Sequence, residues 1–453
     1  MRPLPIVLLL LASLASVCTA GAADLAVLTR GKVLRLDAGS DPGKSRGLVR
    51  FGHDAALAAA PDPSCPSASA FDLGLFTVAA NAVVRNEKVA LECAKWRKTR
   101  TGWRYDDPDA AGGVRRITYG PRGLAVRLVG PAAMPAPGPV GYAFVWFEVG
   151  AMRFHGRFHV FEANTADRVR SRRLSKAAGD GETRFWAIMW GDDASETAVQ
   201  ETSALLQRAA KRSKADARSR FLLGMLHLYR FGQLTERFSA ASEAGRAEIA
   251  AAVAAFDDAE PLLWNRTTRV GDSRMPGFAA AARYALAVVT ADEALRQRAL
   301  ADLAYAVEIN AFFNVFDLMT VLQAEPAGSS AFQQAFADLS AYIGDPNTLA
   351  CAVTQPEVCT NAGLAPTALP GTFVMFGDAY AKSGDAATAK YWYQFGIAAE
   401  AGWAFEGLAA ERLAGADARV AAYQDVDPAN DPPIIGAGPE ACASCHHRPL
   451  TGE

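Results

Sequence analysis

The chain has 453 residues, 51% of them hydrophobic, and a formal net charge of −2. That exceeds what one hydrophobic core normally organises, so a single-core fold is excluded and two domains are expected. The small net charge hides a division: residues 24–176 hold 24 Lys+Arg against 14 Asp+Glu, and residues 177–453 hold 21 against 34.

A basic first part and an acidic second part can attract each other or face different partners. The basic residues are not interleaved with an aromatic platform or a known reader motif, which argues against nucleic acid.

Residues 1–23 read as a cleaved secretory signal. Arg2 supplies a charged start, 6–15 is an apolar stretch too short to span a bilayer, and small residues follow at Thr19, Ala20, Gly21, Ala22 and Ala23. Val17 is a poor fit to lipoprotein cleavage, so Cys18 is expected to leave with the signal. No later stretch reaches a spanning length of uncharged apolar residues. A periplasmic or secreted protein without a membrane span is therefore expected.

Residues 24–165 carry the pattern of a β-sandwich. Short runs such as Lys32-Val33-Leu34-Arg35-Leu36 and Leu124-Ala125-Val126-Arg127-Leu128 alternate, and Gly, Pro and Asp clusters separate them. In 152–160, Met152, Phe154, Phe158 and Val160 share one face, with Arg153, His155, Arg157 and His159 on the other. The opening Lys32 to Asp37, with Trp96 and Gly102-Trp103-Arg104-Tyr105-Asp106 much later, resembles a β-sandwich repeat of secreted deltaproteobacterial proteins. That resemblance implies a fold and lends no activity.

A basic linker is expected over 166–195, marked by Arg168, Arg170, Arg172, Arg173 and Lys176. From 196 to 424 the composition shifts to Ala, Leu and Glu at helical spacing. Within 371–403, Phe373, Phe376, Gly377, Tyr380, Gly384, Ala389 and Tyr393 fall where a tetratricopeptide repeat alternates large and small residues, and the segment resembles that family. Partial matches lie at Ala299, Leu303, Ala306 and Asn310, and at Gly224 with His227. The resemblance implies a helical solenoid whose groove binds a protein partner. The fold class expected for the whole chain is thus α+β and multidomain: an all-β sandwich, a helical tetratricopeptide-like solenoid, and an extended tail over 425–453.

The tail opens with Asp427-Pro428, Asp431-Pro432-Pro433 and Gly436-Ala437-Gly438-Pro439, an extended linker ordered only where it docks. It leads to Cys442-Ala443-Ser444-Cys445-His446. This C-x-x-C-H run resembles the haem-attachment site of c-type cytochromes. The resemblance implies one covalent haem c, held by thioethers from Cys442 and Cys445, with His446 as proximal iron ligand. It covers the attachment site alone, so such a haem must dock on another part of the chain, a second haem or a partner to shield its apolar face. Other readings of the same residues are a C-x-x-C disulfide, or zinc held by both thiolates with His446 or His447.

Of the seven cysteines, the remaining four form two neighbouring pairs, Cys65 with Cys93 and Cys351 with Cys359, expected as disulfides in an oxidising compartment. His227 sits among Leu226, Leu228 and Tyr229 and reads as a packed helix residue, with axial iron ligation as the sharper alternative. His155 and His159 are too far apart along a strand, roughly 13 Å, to share one ion. His53 follows Phe51-Gly52 without a visible partner. No nucleophile elbow, phosphate loop or H-E-x-x-H motif occurs. The function expected is electron transfer or haem-dependent docking with a redox partner. The rival is a secreted interaction scaffold with a tail disulfide or zinc site and no haem, and a weaker alternative is an open-site haem enzyme such as a peroxidase.

Overall fold

The computed structural model describes residues 24–343, 369–425 and 431–434, apart from 29–30, 40, 54, 60, 78–81, 86–87, 111, 134–139, 151, 159–160, 166, 172–175, 190–194, 213–215, 236, 400–402 and 404. The architecture mixes β and α: sheets occupy the first part and helices the rest.

The first strands are β1 (Asp24–Leu28), β2 (Gly31–Asp37), β3 (Arg46–Phe51), β4 (Ser69–Thr77), β5 (Ala82–Arg85), β6 (Val89–Leu91) and β7 (Trp96–Thr99). They continue with β8 (Gly102–Asp106), β9 (Val114–Gly120), β10 (Gly123–Val129), β11 (Val140–Val149), β12 (Met152–Phe158), β13 (Phe161–Asn164) and β14 (Arg168–Ser171). One sheet runs β1-β12-β11-β4-β5, with β6 also on β4, and the other runs β13-β14-β2-β3-β10-β9-β8-β7. Only β1 with β12 is parallel among the described pairings of these sheets.

Strand alternation builds the core between them. Leu34, Val49, Val126, Ile117, Tyr105 and Trp96 stand directly opposite one another across six neighbouring strands. All six are buried. The other sheet answers with Phe71, Phe147 and Phe154 in one row, and the Trp96 and Tyr119 rings pack on Phe147. In β12, Phe154 and Phe158 face this core as the alternation requires. Between them Gly156 lies under the Phe51 ring, where a Cβ would come within 2.1 Å of it.

The sheet runs past the expected boundary. Where a basic linker is anticipated from 166, β14 adds a strand whose Val169 and Ser171 point inward between outward arginines, and the Ser171 hydroxyl accepts the Leu34 amide at 2.7 Å. Helix formation then begins at Lys176, inside the same stretch. The arginines hid both, because a wet strand face and a linker look alike in composition.

A short helix, α1 (Ala55–Ala58), lies within the sandwich. The helical part comprises α2 (Lys176–Met189), α3 (Glu196–Arg212), α4 (Ala217–Leu234), α5 (Glu243–Leu263), α6 (Met275–Thr290), α7 (Glu293–Ile309) and α8 (Ala311–Asn314). It continues with α9 (Met319–Ala324), α10 (Ser330–Ile343), α11 (Leu369–Ser383), α12 (Ala386–Ala399), α13 (Leu408–Ala414) and α14 (Ala416–Tyr423). Side-chain caps start several of them: Asp216 accepts the Ser219 amide, Ser242 that of Gly245, Asp292 that of Leu295 and Asp385 that of Thr388.

Glycines let two helix pairs close up. A Cβ at Gly224 would lie 2.6 Å from the Phe256 ring, and one at Gly377 would lie 2.3 Å from the Tyr393 ring. The Gly377–Tyr393 contact pairs a small residue with a large one at the positions that carry the repeat resemblance. Between α11 and α12, Gly384 turns the chain at φ +93°, a conformation that favours glycine.

A two-strand ribbon, β15 (Trp264–Asn265) with β16 (Val270–Gly271), joins α5 to α6, and β16 runs beside β11 of the sandwich. On β11, Phe144 and Trp146 are buried although they do not belong to the sandwich core.

Candidate functional site: the anchored tail

Cys442, Cys445 and His446 lie outside the described residues, as do Cys351 and Cys359. The structure defines instead the place from which the motif departs. Residues 431–434 do not trail into solvent. They are bound to α9, α11 and α14.

The first contact is electrostatic. Lys382, near the C-terminus of α11, is 1% exposed, and its Nζ lies 3.1 Å from Asp431 Oδ2. The same ammonium donates to the Gln323 carbonyl at 3.3 Å and lies over the rings of Phe332 and Tyr423. Burial pulls the Lys382 pKa below its ordinary value, while Asp431 and Glu325 oppose that shift. A buried ammonium needs such partners, because an unpaired charge in this surrounding is costly.

The second contact runs through Arg419 on α14. Its Nε donates to Asp378 Oδ1 at 2.8 Å, and its terminal nitrogen donates to the Pro433 carbonyl. Asp378 is fully buried and also accepts the Tyr393 hydroxyl at 2.8 Å. The tail is thus tied to the helix pair α11–α12 through one guanidinium.

The third contact is apolar and backbone together. Ile434 is 1% exposed and belongs to the same core as Phe332, Leu339 and Tyr423. Its amide donates to Gln323 Oε1 at 2.6 Å. Gln424 Nε2 donates to the Lys382 carbonyl at 2.9 Å and fastens α14 to α11 beneath the strap. Within four consecutive tail residues, Asp431, Pro433 and Ile434 therefore supply a charge pair, a carbonyl contact, an amide contact and a core slot.

The histidines take other roles. His227 is half-buried on α4 and its Nδ1 lies 2.7 Å from Glu248 Oε2, so it is bound into an ion-pair cluster with Arg230. Burial works against the Glu248 carboxylate, but His227 and Arg230 outweigh it and hold its pKa below the usual range. His53 is exposed, and the side chains of His155 and His159 are not among those described. Among the described residues no group of three or more His, Cys, Asp or Glu side chains is placed to hold a metal ion.

Cys65 and Cys93 do come together at disulfide distance, with Cα atoms 4.8 Å apart. The cross-link joins the loop before β4 to the turn after β6. Among the described residues no helix is long and apolar enough to cross a membrane.

Sequence reasoning missed the anchor. Nothing local marks Lys382 as buried, and Asp431-Pro432-Pro433 reads as part of an extended linker ordered only where it docks. The signal available was Ile434-Ile435, an apolar pair in an otherwise polar Pro/Gly stretch. It also missed a buried carboxyl on the segment between α8 and α9: Asp317 packs on Gly277, and burial raises its pKa well above the ordinary carboxylate value.

Compared with known proteins, the chain matches no family model, no curated protein and no solved structure.

Proposed function

We propose that this chain is an exported c-type haem protein that exchanges electrons with a protein partner. Cys442 and Cys445 hold one covalent haem c, and His446 is the proximal iron ligand. A haem there supplies a one-electron redox couple. The helical part acts as a tetratricopeptide-like solenoid that presents the partner surface.

The observation that carries this reading is the anchored strap ahead of the motif. Seven residues separate Ile434 from Cys442, so the eight Cα steps between them span at most about 29 Å when fully extended. Lys382, Arg419 and Gln323 therefore fix the origin of a short tether, and they confine whatever the motif carries to the neighbourhood of α9, α11 and α14. Short tethers raise the effective concentration of a group at its docking surface into the millimolar range. Such confinement offers a haem the protein surface that a free tail would lack. The Cys65–Cys93 pair fits an oxidising compartment.

The test compares the full chain with a chain ended after Ile434, both matured with haem-attachment machinery. Ending after Ile434 keeps the strap and its core slot. The full chain should show a Soret band that shifts on reduction with dithionite and returns with ferricyanide, and the shortened chain should show none at equal helical content. A full chain without haem that holds stoichiometric zinc, or only an oxidised cysteine pair, would replace this reading with the scaffold.

A further inference from the structure

The two sheets of the sandwich differ on their outer sides. On the first, Phe144 and Trp146 are buried. The outer side of the second is a grid of arginines. Arg170 stands opposite Arg35, Arg35 opposite Leu48, Leu48 opposite Arg127, and Arg127 opposite Arg116. Two residues further along the strands, Arg50, Ala125, Thr118, Arg104 and Arg97 form the next row. On the other flank, Asp37 lies between Arg168 and Arg46.

Among the described residues, these rows therefore place nine guanidinium groups beside two carboxylates. Asp106 takes Arg97, Arg104 and Arg116 at 2.9, 2.5 and 2.6 Å. Asp37 takes Arg35 and Arg168 at 2.6 and 3.1 Å. Arg46, Arg50 and Arg127 are exposed and have no ion-pair partner among the described residues. With strands about 4.8 Å apart, the seven strands from β14 to β7 span about 29 Å. Like charges at this density repel one another, and the fold tolerates them where a counter-charge can arrive from outside.

We propose that this face docks a linear anionic polysaccharide, a sugar chain bearing carboxylate or sulfate groups. Charge complementarity selects a polyanion, and the guanidinium fork suits planar carboxylates and sulfates. The rows contain no aromatic side chain on which bases could stack. Nor do they offer an anchor for a bilayer: among the described residues the exposed large hydrophobics are Leu234 and Leu262, both in the helical part. A hydrophilic grid that runs from strand to strand fits an extended hydrated chain lying across the strands. The proposal does not depend on the haem.

The experiment titrates full-length protein into fluorescein-labelled heparin and labelled polygalacturonate over a range of salt. Phosphatidylglycerol vesicles and an oligothymidylate are the comparison ligands. At least one polysaccharide should bind saturably. Arg50→Glu with Arg127→Glu should weaken that binding at least about tenfold and lower the slope of log K against log salt by about two, one for each guanidinium removed from the face. Arg298→Glu, an exposed reversal in the helical part, should change nothing, and the thermal midpoint of every variant should match the wild type. Should the double reversal unfold the sandwich, Arg50→Gln with Arg127→Gln replaces it with the same expected direction. Absence of saturable polysaccharide binding, equal weakening in Arg298→Glu, or tighter binding to the vesicles or the oligonucleotide would overturn the proposal.

Discussion

Lys382 Nζ lies 3.1 Å from Asp431 Oδ2, and this pair closes the helical part onto its own tail. The lysine is almost wholly buried between Phe332 and Tyr423, so the carboxylate is its main electrostatic partner. Asp431→Ala should strand the ammonium and destabilise the protein by about 3 kcal/mol, the low end for breaking a buried pair. Lys382→Met combined with Asp431→Leu should recover most of that loss, since it removes both charges together. Urea unfolding followed by far-UV circular dichroism checks this. A single variant as stable as wild type would show that the strap contributes nothing to the fold.

Asp106 sits on the arginine-rich sheet face, where burial opposes its ionisation but hydrogen bonds from Arg104 and Arg116 prevail and hold its pKa down at about 2. Its folded pKa is thus below the ordinary 3.8. The stabilisation it provides is complete above the unfolded value and is lost as pH falls from 3.8 towards about 2. In Asp106→Asn, the fall in thermal midpoint across that window should be shallower than in the wild type. A carboxyl titrating near 3.8 by carbon-detected NMR would contradict the network.

Gly377 allows α11 to meet α12 at the Tyr393 ring. Alanine normally favours a helix interior over glycine by about 1 kcal/mol. Here the added methyl would sit 2.3 Å from the ring, so Gly377→Ala should instead destabilise by roughly 1–3 kcal/mol. Gly328→Ala, which meets nothing within 4 Å, is the matched control and should be nearly neutral. Equilibrium denaturation of the two variants decides the matter.

The parts of this fold that follow from short-range pattern are legible in the sequence. Phe154 and Phe158 alternate with polar neighbours in β12, and Gly377 and Tyr393 announce a close helix pair by their spacing. What the sequence conceals is where a residue of one type is used against type. Val169 and Ser171 form a strand inside a run of arginines, because the inward positions are too few to interrupt the basic composition. Lys382 and Asp431 lie far apart in the chain, and neither carries a local mark of burial. The motif at Cys442, Cys445 and His446 is the reverse case, plain in the sequence and outside the described structure.

Whether Cys442 and Cys445 carry haem is decided by the intact mass of the protein after acid-acetone extraction. Protein matured with haem-attachment machinery should show the mass of one haem added to the polypeptide, absent when Cys442 and Cys445 are both changed to Ala. His446→Ala should retain the added mass and alter the iron's spin state, because that residue supplies the proximal nitrogen. A wild-type mass equal to that of the bare polypeptide would mean that the tail holds no covalent haem and that the cytochrome reading is wrong.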